Sequence, residues 1–243
     1  MKDYQEETYG KHIADVYDEF YAGFDPAIID LLAELAQGGP ALELGIGTGR
    51  IAIPLHEKGL AVQGIDISEE MVSKLRAKPH GGEIEVFSGS FADFDLGRQF
   101  KFIYVVFNTF FGLVTQKEQI GCFESVKKHL TDNGLFLVEV FMPDLSRFAG
   151  HQNVRTVELT EDRVRLDASQ IDPVTQQVSG QHITLSNTGV RLYPVKLRYA
   201  WPSELDLMAQ IAGLSLRYRW GSWSKDEFTK NSPRHISVYG LKE

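Results

Sequence analysis

The sequence predicts an α/β protein built on a mostly parallel sheet, with an antiparallel β-meander inserted towards its C-terminal end. From residue 41 to residue 141, apolar strand-like segments alternate with helix-like segments, which is the pattern of βαβ units. Between residues 154 and 199, short apolar–polar alternations are separated by turn residues and show no helical periodicity. The helix and strand pattern then returns over residues 202–241.

Length and composition predict one folded, cytoplasmic protein. A chain of 243 residues can bury a sizeable core, and 43% hydrophobic content is ordinary for a folded chain. The net charge of −8 disfavours a nucleic-acid partner, because binding phosphates requires a basic face. The longest apolar stretch, residues 134–142, is too short to span a membrane, and the polar N-terminus is not a signal peptide. The single cysteine, Cys122, permits no intrachain disulfide and is expected to be buried, and no zinc-type ligand spacing predicts a metal site.

Two helices are predicted before the sheet begins. Residues 4–21 carry apolar side chains at helical spacing, which predicts one partly amphipathic helix. Asp25 and Pro26 are typical of a helix start, and Gly38 and Gly39 of its end.

The alternating part supplies five strands and three helices. The predicted strands are residues 41–44, 60–66, 84–87, 102–107 and 135–141. The predicted helices are residues 49–58, residues 68–76 after a Ser68 cap, and a helix opened by the capping-box pattern of residues 115–118. After the meander, the sequence predicts a helix over residues 202–212 and strands over residues 214–220 and 235–241.

A glycine-rich loop follows the first predicted strand. Gly45, Gly47 and Gly49 precede a helix, and such a loop can approach a polar ligand closely while the helix N-terminus favours negative charge. A phosphate-loop signature is absent. The dinucleotide fingerprint requires a glycine at the third position after Gly47, where this chain has Arg50. An NAD-dependent dehydrogenase is therefore disfavoured.

The run from Ala41 to Arg50, Ala-Leu-Glu-Leu-Gly-Ile-Gly-Thr-Gly-Arg, resembles the first motif of class I S-adenosylmethionine-dependent methyltransferases. The resemblance implies a doubly wound, mostly parallel, seven-stranded Rossmann-like sheet and S-adenosylmethionine as cofactor. In that family the acidic residue and the loop backbone hold the methionine portion. The corresponding residues here are Glu43, Gly45, Gly47 and Gly49, and we expect Arg50, in the first helical turn, to reach the carboxylate.

Asp66 ends the second predicted strand, 21 residues after Gly45 (66 − 45). A carboxylate at that place accepts hydrogen bonds from both ribose hydroxyls. The alternative is that Asp66 caps the following helix, a role that Ser68 already suits. We assign Asp66 and its neighbour Ile67 to the cofactor site.

The stretch after the third strand resembles the family's adenine-binding segment. Many relatives have aspartate where this chain has Ser90. In this chain we expect the adenine amino group to be bound by the Ser90 hydroxyl, by Asp93 or by backbone carbonyl oxygens. Phe91 is expected to pack on the adenine ring, with core packing as the alternative.

Asn108, Tyr17 and Tyr21 are the candidates at the methyl-transfer end. Asn108 follows the fourth strand and would bind the cofactor amine, orient the substrate or cap a turn. Tyr17 and Tyr21 are four residues apart and so share a helix face. In related enzymes an N-terminal helix covers the cofactor and places a tyrosine near the donor. The alternative is that both tyrosines only pack the helix on the sheet, and Tyr9 is a weaker candidate.

The chain is similar to the bacterial group of small-molecule methyltransferases with a β-cap, which methylate amines and amino sugars. We therefore divide it into a cofactor-binding domain, residues 1–150 and 200–243, with the N-terminal helices as a lid, and an inserted meander cap, residues 151–199. From the cap, Arg198, Tyr199 and Trp201 would line the substrate pocket or pack within the meander.

The predicted function is transfer of a methyl group from S-adenosylmethionine to nitrogen or oxygen of a small molecule. Such a transfer requires alignment of the nucleophile and exclusion of water, and the sequence offers no compelling general base. None of the seven histidines is singled out, and His56, His80 and His129 are expected to face solvent. The alternative is a non-catalytic sensor that binds the cofactor or a nucleotide. Substrate identity, acceptor atom and oligomeric state are left open, although an exposed meander would suit a homodimer.

Overall fold

The computed structural model describes residue 1 and residues 3–242. The helices in this part of the chain are α1 (Thr8–Ile13), α2 (Tyr17–Phe20), α3 (Ala27–Ala36), α4 (Ala52–Glu57), α5 (Glu69–Arg76), α6 (Gln116–His129) and α7 (Pro202–Ala212). The strands there are β1 (Ala41–Leu44), β2 (Val62–Asp66), β3 (Glu85–Ser88), β4 (Phe100–Val105), β5 (Leu130–Phe141), β6 (Gln152–Leu159), β7 (Arg163–Asp172), β8 (Gln177–Ser186), β9 (Gly189–Arg198), β10 (Leu214–Trp220) and β11 (Arg234–Leu241).

The larger sheet has seven strands in the order β10-β11-β5-β4-β1-β2-β3. The strands from β5 to β3 in that order are parallel, whereas β11 runs antiparallel to both β5 and β10. The chain moves outwards from β1 to β3 and then returns to the other side of β1 for β4. Ligands of such sheets bind outside the carboxyl ends of the strands where the order reverses, here between β1 and β4. The predicted seven-stranded, mostly parallel sheet is confirmed.

Strand β4 shows how this sheet is covered on both faces. Phe102 and Tyr104 belong to the apolar cluster that includes α3 and α4, and Ile103 and Val105 belong to the cluster that includes α6 and α7. All four side chains are fully buried. A continuous apolar run of this kind is typical of a parallel strand between two helical layers.

The smaller sheet is an antiparallel meander of β6, β7, β8 and β9, in chain order, between β5 and α7. It confirms the inserted meander that the sequence predicted. Helix α1 contacts β9 on one side and α5 on the other. Phe20 of α2 packs edge-on against Tyr193 of β9, with ring centroids 5.3 Å apart. The N-terminal helices therefore join the meander to the large sheet.

The predicted single helix over residues 4–21 is wrong, because the structure has two short helices there. The break follows Ile13, which is fully buried. Helix α1 also comes very close to the start of α5, since a Cβ atom on Gly10 would lie 2.5 Å from the Ser68 Cβ. Helix α1 is thus held by both α5 and β9, and Phe20 of α2 packs separately against β9, so the segment forms two short helices.

Helix starts and ends follow local chemistry. Ser68 accepts a hydrogen bond from the Met71 N–H at the start of α5, and Thr115 forms the predicted capping box at the start of α6. Helix α4 begins at Ala52, later than predicted, because Gly49 has a φ of 75° that no helix contains.

Two polar side chains near α6 are buried rather than exposed. His129 is buried, donates from Nδ1 to the Ser125 carbonyl oxygen and accepts at Nε2 from the Leu96 N–H, so the expectation that it faces solvent is wrong. Cys122 is fully buried, as predicted, and burial raises the pKa of its thiol. No helix among residues 3–242 is long and apolar enough to cross a bilayer.

Arg198 ends β9 inside a buried polar network. Its guanidinium donates to Gln119 at 2.7 Å, to Gln176 at 3.1 Å and to Glu204 at 2.6 Å. Burial alone would raise the pKa of the Glu204 carboxyl, but hydrogen bonds from Arg198 and its neighbours lower it. Arg198 therefore joins the meander to α6 and α7, and the packing alternative from the sequence is the correct one.

Replacing Arg198 by Met should lower the free energy of unfolding by about 3 kcal/mol, because it leaves the Glu204 carboxylate without its cation in a largely buried site. Urea denaturation at pH 7 measures this change. Arg76→Met, at the exposed end of α5, is the matched control and should change stability by less than about 0.5 kcal/mol. Equal midpoints for the two variants would contradict the structural role.

Candidate active site

A cavity of about 1890 Å³ opens at the carboxyl ends of β1, β2 and β4. One part of its wall consists of the glycine loop, Asp66 and the segment after β4. The other part includes the N-terminal segment, the cavity-facing residues of all four meander strands, and residues near 142–147 and 230–234. The predicted site residues from the large sheet, except Gly49 and Ser90, therefore line one space together with the meander.

The glycine loop needs its glycines for two separate reasons. Gly45, Gly47 and Gly49 have φ values of 70°, 57° and 75°, which side chains with a Cβ atom rarely adopt. A Cβ atom on Gly45 would also lie 2.5 Å from Cγ2 of Thr109. The loop thus lies directly against the segment that follows β4.

Asp66 ties this loop to β2. Its Oδ2 accepts from the Gly47 N–H at 2.7 Å and its Oδ1 accepts from the Ser68 N–H at 2.8 Å. Burial raises the pKa of the Asp66 carboxyl, and these backbone bonds partly offset the effect. Each oxygen retains a second lone pair, and Asp66 and Ile67 both line the cavity. The cap of α5 is Ser68 rather than Asp66, and the Asp66 carboxylate remains available to a ligand.

Glu43 is a buried carboxyl group on the cavity wall, with 4% of its surface exposed. The Tyr104 hydroxyl donates to its Oε2 at 3.0 Å. Burial raises the pKa of Glu43 to about 8, and the Tyr104 hydrogen bond and the charge of Arg50 only partly oppose this. A carboxylate held in this way is stabilised by any cation that enters the cavity.

Arg50 lies in the turn before α4 rather than in its first helical turn, which corrects the sequence expectation. Its guanidinium stacks on Phe107, with 3.7 Å from Cζ to the ring centroid, and donates to the Tyr21 carbonyl oxygen at 2.8 Å. Its Nε is buried and has no hydrogen-bond partner among the residues that the structure describes. Buried donors are normally paired, so this group fits an anionic ligand atom.

Three tyrosines from the N-terminal segment line the same cavity. The rings of Tyr17 and Tyr21 have centroids 4.9 Å apart, and the hydroxyl groups of Tyr9 and Tyr21 lie 3.1 Å apart. Burial raises the pKa of Tyr17 to about 12 and also raises the pKa values of Tyr9 and Tyr21. All three hydroxyl groups are therefore protonated at neutral pH. The structure brings Tyr9 into the site as closely as the two preferred candidates.

The chain after β4 has an unusual backbone. Phe107 and Asn108 are consecutive non-glycine residues with φ values of 55° and 65°, a conformation that costs free energy and clusters at functional sites. The Asn108 side chain accepts from the Phe141 N–H at 2.6 Å. The Asn108 side chain thus joins the segment after β4 to the end of β5 and does not cap the turn that follows, and the residue also lines the cavity.

Glu139 holds this strained turn and was not identified from the sequence. Its Oε2 accepts from the Phe107 N–H at 2.6 Å, and its Oε1 accepts from Arg234 at 3.2 Å. The side chain is buried and lines the cavity. The available signal was a single glutamate that interrupts the longest apolar stretch of the chain.

Ser90 is already hydrogen-bonded within the protein. Its hydroxyl donates to Glu6 at 2.7 Å and accepts from the Ala92 N–H at 3.1 Å. Glu6, which the sequence did not single out, and Phe91 line the cavity. Phe91 also belongs to the hydrophobic core, so its two predicted roles are compatible, whereas Asp93 is exposed.

Of the three residues predicted from the cap, Trp201 lines the cavity, whereas Tyr199 is buried in the core and Arg198 in its network. Outside the cavity, His56, His80 and Glu83 bring ligand-type atoms within 4.8 Å of one another on the surface. Glu83 pairs with both histidines there, at 3.0 Å each.

Comparison with known proteins gives a consistent result. Residues 41–134 match the model of a methyltransferase domain family. The structure of the CcbJ methyltransferase from Streptomyces caelestis has 43% sequence identity and a TM-score of 0.92, and the match covers 99% of this chain and 100% of that one.

Two curated relatives match more distantly. A cypemycin N-terminal methyltransferase from a Streptomyces species is 28% identical over 83% of this chain and 82% of its own length. A dTDP-3-amino-3,6-dideoxy-alpha-D-glucopyranose N,N-dimethyltransferase from Streptomyces fradiae is 25% identical over 62% of this chain and 61% of its own length. With the glycine loop, Asp66 and Glu43 in place, the chain belongs to the class I S-adenosylmethionine-dependent methyltransferases.

Proposed function

We propose that this methyltransferase transfers the methyl group of S-adenosylmethionine to an amine nitrogen of a small molecule. The observation that carries the proposal is the single cavity, which joins the cofactor-type residues of the large sheet to a second space beneath the meander. Its volume of about 1890 Å³ exceeds the roughly 300–1,000 Å³ of an ordinary ligand pocket. It therefore has room for the cofactor and an acceptor together. The choice of nitrogen is supported by the two curated relatives above, both named for N-methylation.

The residues at the glycine loop fit the methionine portion of the cofactor. Glu43 would accept a hydrogen bond from the ammonium group, whose charge would stabilise the buried carboxylate. Arg50 would donate from its unpartnered Nε to the carboxylate. Gly45 and Gly47, which line the cavity between Glu43 and Arg50, place no side chain against the ligand, and Gly49 completes the turn of the loop.

The residues after β2 and β3 fit the nucleoside portion. The free lone pairs of Asp66 would accept from the two ribose hydroxyls, with Ile67 beside them. Phe91 would pack on the adenine ring. Because the Ser90 proton is directed at Glu6, we infer that the Glu6 carboxylate would accept from the adenine amino group, with Ser90 positioning it.

The remaining candidates fit the methyl-transfer end. S-adenosylmethionine supplies a methyl group activated by the sulfonium charge, and the protein's task is to align the nucleophile and exclude water. Tyr17, Tyr21 and Asn108 line the cavity beside the loop after β4 and would orient the amine. We also retain the division into a cofactor-binding domain, residues 1–150 and 200–243, with helices α1 and α2 as its lid, and a cap, residues 151–199.

A non-catalytic sensor is not favoured, because the second space beneath the meander has no purpose in a protein that binds the cofactor alone. We further propose that the enzyme works in the cytoplasm, binds neither membrane nor nucleic acid, and forms a homodimer through the meander. Exposed apolar side chains on the meander support the dimer: Val154, Leu159, Val190 and Leu192.

The acceptor proposal predicts methyl incorporation into small amines. With S-adenosylmethionine labelled in the methyl group, the enzyme should methylate members of a panel of amino sugars and short peptides with free N-termini. Product mass and fragmentation locate the methyl group on nitrogen. The corresponding hydroxy sugars and N-acetylated peptides serve as controls and should remain unmodified. Methylation of the hydroxy sugars alone would contradict the choice of nitrogen.

Asp66→Ala should weaken S-adenosylmethionine binding by about 10²-fold or more, because hydrogen bonds to a charged group contribute about 1.5–3 kcal/mol each and two are lost. Isothermal titration calorimetry measures the dissociation constant. Asp66→Asn keeps one acceptor oxygen and should lose less, whereas Asp30→Ala, on the exposed side of α3, should bind normally. Unchanged affinity in Asp66→Ala would remove the ribose assignment.

Glu43→Gln should stabilise the ligand-free protein increasingly as the pH rises. The folded-state pKa of about 8 lies above the unfolded value of about 4.3. Between these two pKa values the folded protein holds a proton that the unfolded chain has released. The unfolding free energy of the wild-type protein therefore falls by up to roughly 1.4 kcal/mol for each pH unit of increase. Glutamine does not titrate and can still accept from Tyr104.

Urea denaturation of both proteins from pH 5 to pH 9 tests this expectation. The difference in unfolding free energy should be small at pH 5, grow in favour of Glu43→Gln to about pH 8 and then level off. The same substitution should weaken S-adenosylmethionine binding at pH 8, since the ammonium group loses its counter-charge. Parallel stability curves for the two proteins would refute the buried-carboxyl account.

A further inference from the structure

We propose that His182 accepts the proton released by the acceptor nitrogen, and that Asp167 positions it for this task. The inference rests on the proposed amine acceptor and goes beyond it by naming a catalytic base. No such base stands out in the sequence, because His182 and Asp167 are far apart along the chain and lie on the inserted meander.

Four side chains form a row across the meander. In register, Arg155 of β6 is opposite Asp167 of β7, Asp167 is opposite His182 of β8, and His182 is opposite Tyr193 of β9. Directly opposite residues on neighbouring strands place their side chains on the same face. Arg155, Asp167 and His182 all line the cavity.

Hydrogen bonds within this row leave one imidazole nitrogen available. His182 Nδ1 lies 2.5 Å from Asp167 Oδ1, and the Arg155 guanidinium donates to Asp167 Oδ2 at 2.8 Å and 3.1 Å. An ionised carboxylate only accepts, so in the neutral imidazole Nδ1 carries the proton and the lone pair is on Nε2. Within residues 3–242 no hydrogen bond is made to His182 Nε2. A histidine held in one tautomer by a carboxylate is the arrangement of a general base.

The charges in the row suit a base that becomes a cation. Burial alone would raise the pKa of Asp167, but hydrogen bonds from His182 and Arg155 lower it below its usual value. Asp167 therefore stays ionised at neutral pH. It would stabilise the imidazolium that forms when Nε2 takes a proton.

The row lies beside the lid tyrosines. Burial raises the pKa of Tyr21, and the negative charge of Asp167 raises it further, which places the carboxylate within electrostatic range of that hydroxyl. Tyr193, at the end of the row, packs against Phe20, the residue before Tyr21. His182 is thus on the part of the cavity wall that the meander forms, in the same row as the residue that packs against α2.

The proposed step balances in atoms and charge. The nitrogen lone pair forms a bond to the methyl carbon while the carbon–sulfur bond breaks, and the sulfur keeps the bonding electron pair. The nitrogen becomes positively charged and releases its N–H proton to His182 Nε2. The products are the methylated amine, S-adenosylhomocysteine and an imidazolium, which returns the proton to solvent after product release.

His235 shows why an unpartnered imidazole nitrogen alone is insufficient. Its Nε2 is also buried without a partner, and its Nδ1 pairs with Ser237 at 2.8 Å. Burial lowers the pKa of His235 to about 3, and the nearby positive charge of Arg219 adds to the effect. A group so difficult to protonate is a poor base, whereas His182 has a carboxylate beside it.

The test compares kcat, the KM for the amine and the dissociation constant for S-adenosylmethionine, using the amine with the highest turnover in the panel described above. His182→Gln should lower kcat by about 10²-fold or more, with little change in KM or cofactor affinity. Asp167→Asn should lower kcat less, because the base remains but its tautomer is no longer held. His80→Gln, on an exposed surface turn, is the control and should behave as wild type.

Chemical rescue separates catalysis from structure. Imidazole added to His182→Ala should restore part of kcat and should leave the control variant unchanged. A wild-type kcat in His182→Gln, or a raised KM with kcat intact, would overturn the assignment of the base but not the proposed function. If the His182→Gln variant binds no S-adenosylmethionine, the rescue of His182→Ala by imidazole decides whether His182 is the base. Absence of this rescue counts against the proposal. If wild type methylates no amine, the proposed function fails, and this inference fails with it.

Discussion

The hydrogen bond from the Gly47 N–H to the Asp66 carboxylate, 2.7 Å long, is the constraint on which the site depends. It joins the loop after β1 to the end of β2 and requires glycine at a backbone conformation that other residues avoid. On the other side of β1, the side chain of Glu139 holds Phe107 in an equally uncommon conformation. The reversal of strand order brings these two strained segments together, so the cavity exists where the sheet leaves its strand ends uncovered.

Electrostatics complete what this backbone geometry begins. Glu43 is buried enough for its pKa to rise to about 8, and the Nε of Arg50 is buried without a partner. Burial of each group lowers the stability of the ligand-free protein. The cost of removing a charge or a hydrogen-bond donor from water is offset only when a partner is present. A zwitterionic ligand end, with an ammonium and a carboxylate group, would satisfy both. The site thus stores unfavourable free energy that binding releases.

The second half of the cavity is made by elements that have no stable position alone. Helices α1 and α2 are short, and isolated helices of this length are marginal in water. They are held by contacts with α5 on one side and with the meander on the other, for example between Phe20 and Tyr193. The tyrosines beside the cofactor-type residues and the row from Arg155 to His182 are therefore positioned by the same contacts. Displacement of the meander would disturb both the lid and the base that we propose.

The sequence by itself determined the α/β class, the meander, the caps of α5 and α6, and the residues that line the cavity at the ends of β1 and β2. These features depend on local spacing, since the glycines follow directly after Glu43 and the end of β1, and Asp66 ends the next strand. Only the tertiary structure decided that the N-terminal segment breaks after Ile13, and that Arg198 serves a buried network. It also placed Glu139 and His182 at the cavity, because their neighbours there come from strands and segments that are distant along the chain. The periodicity of apolar residues in a sequence indicates which face of a helix or strand is buried. The partner of an isolated polar residue depends instead on how these helices and strands pack in three dimensions.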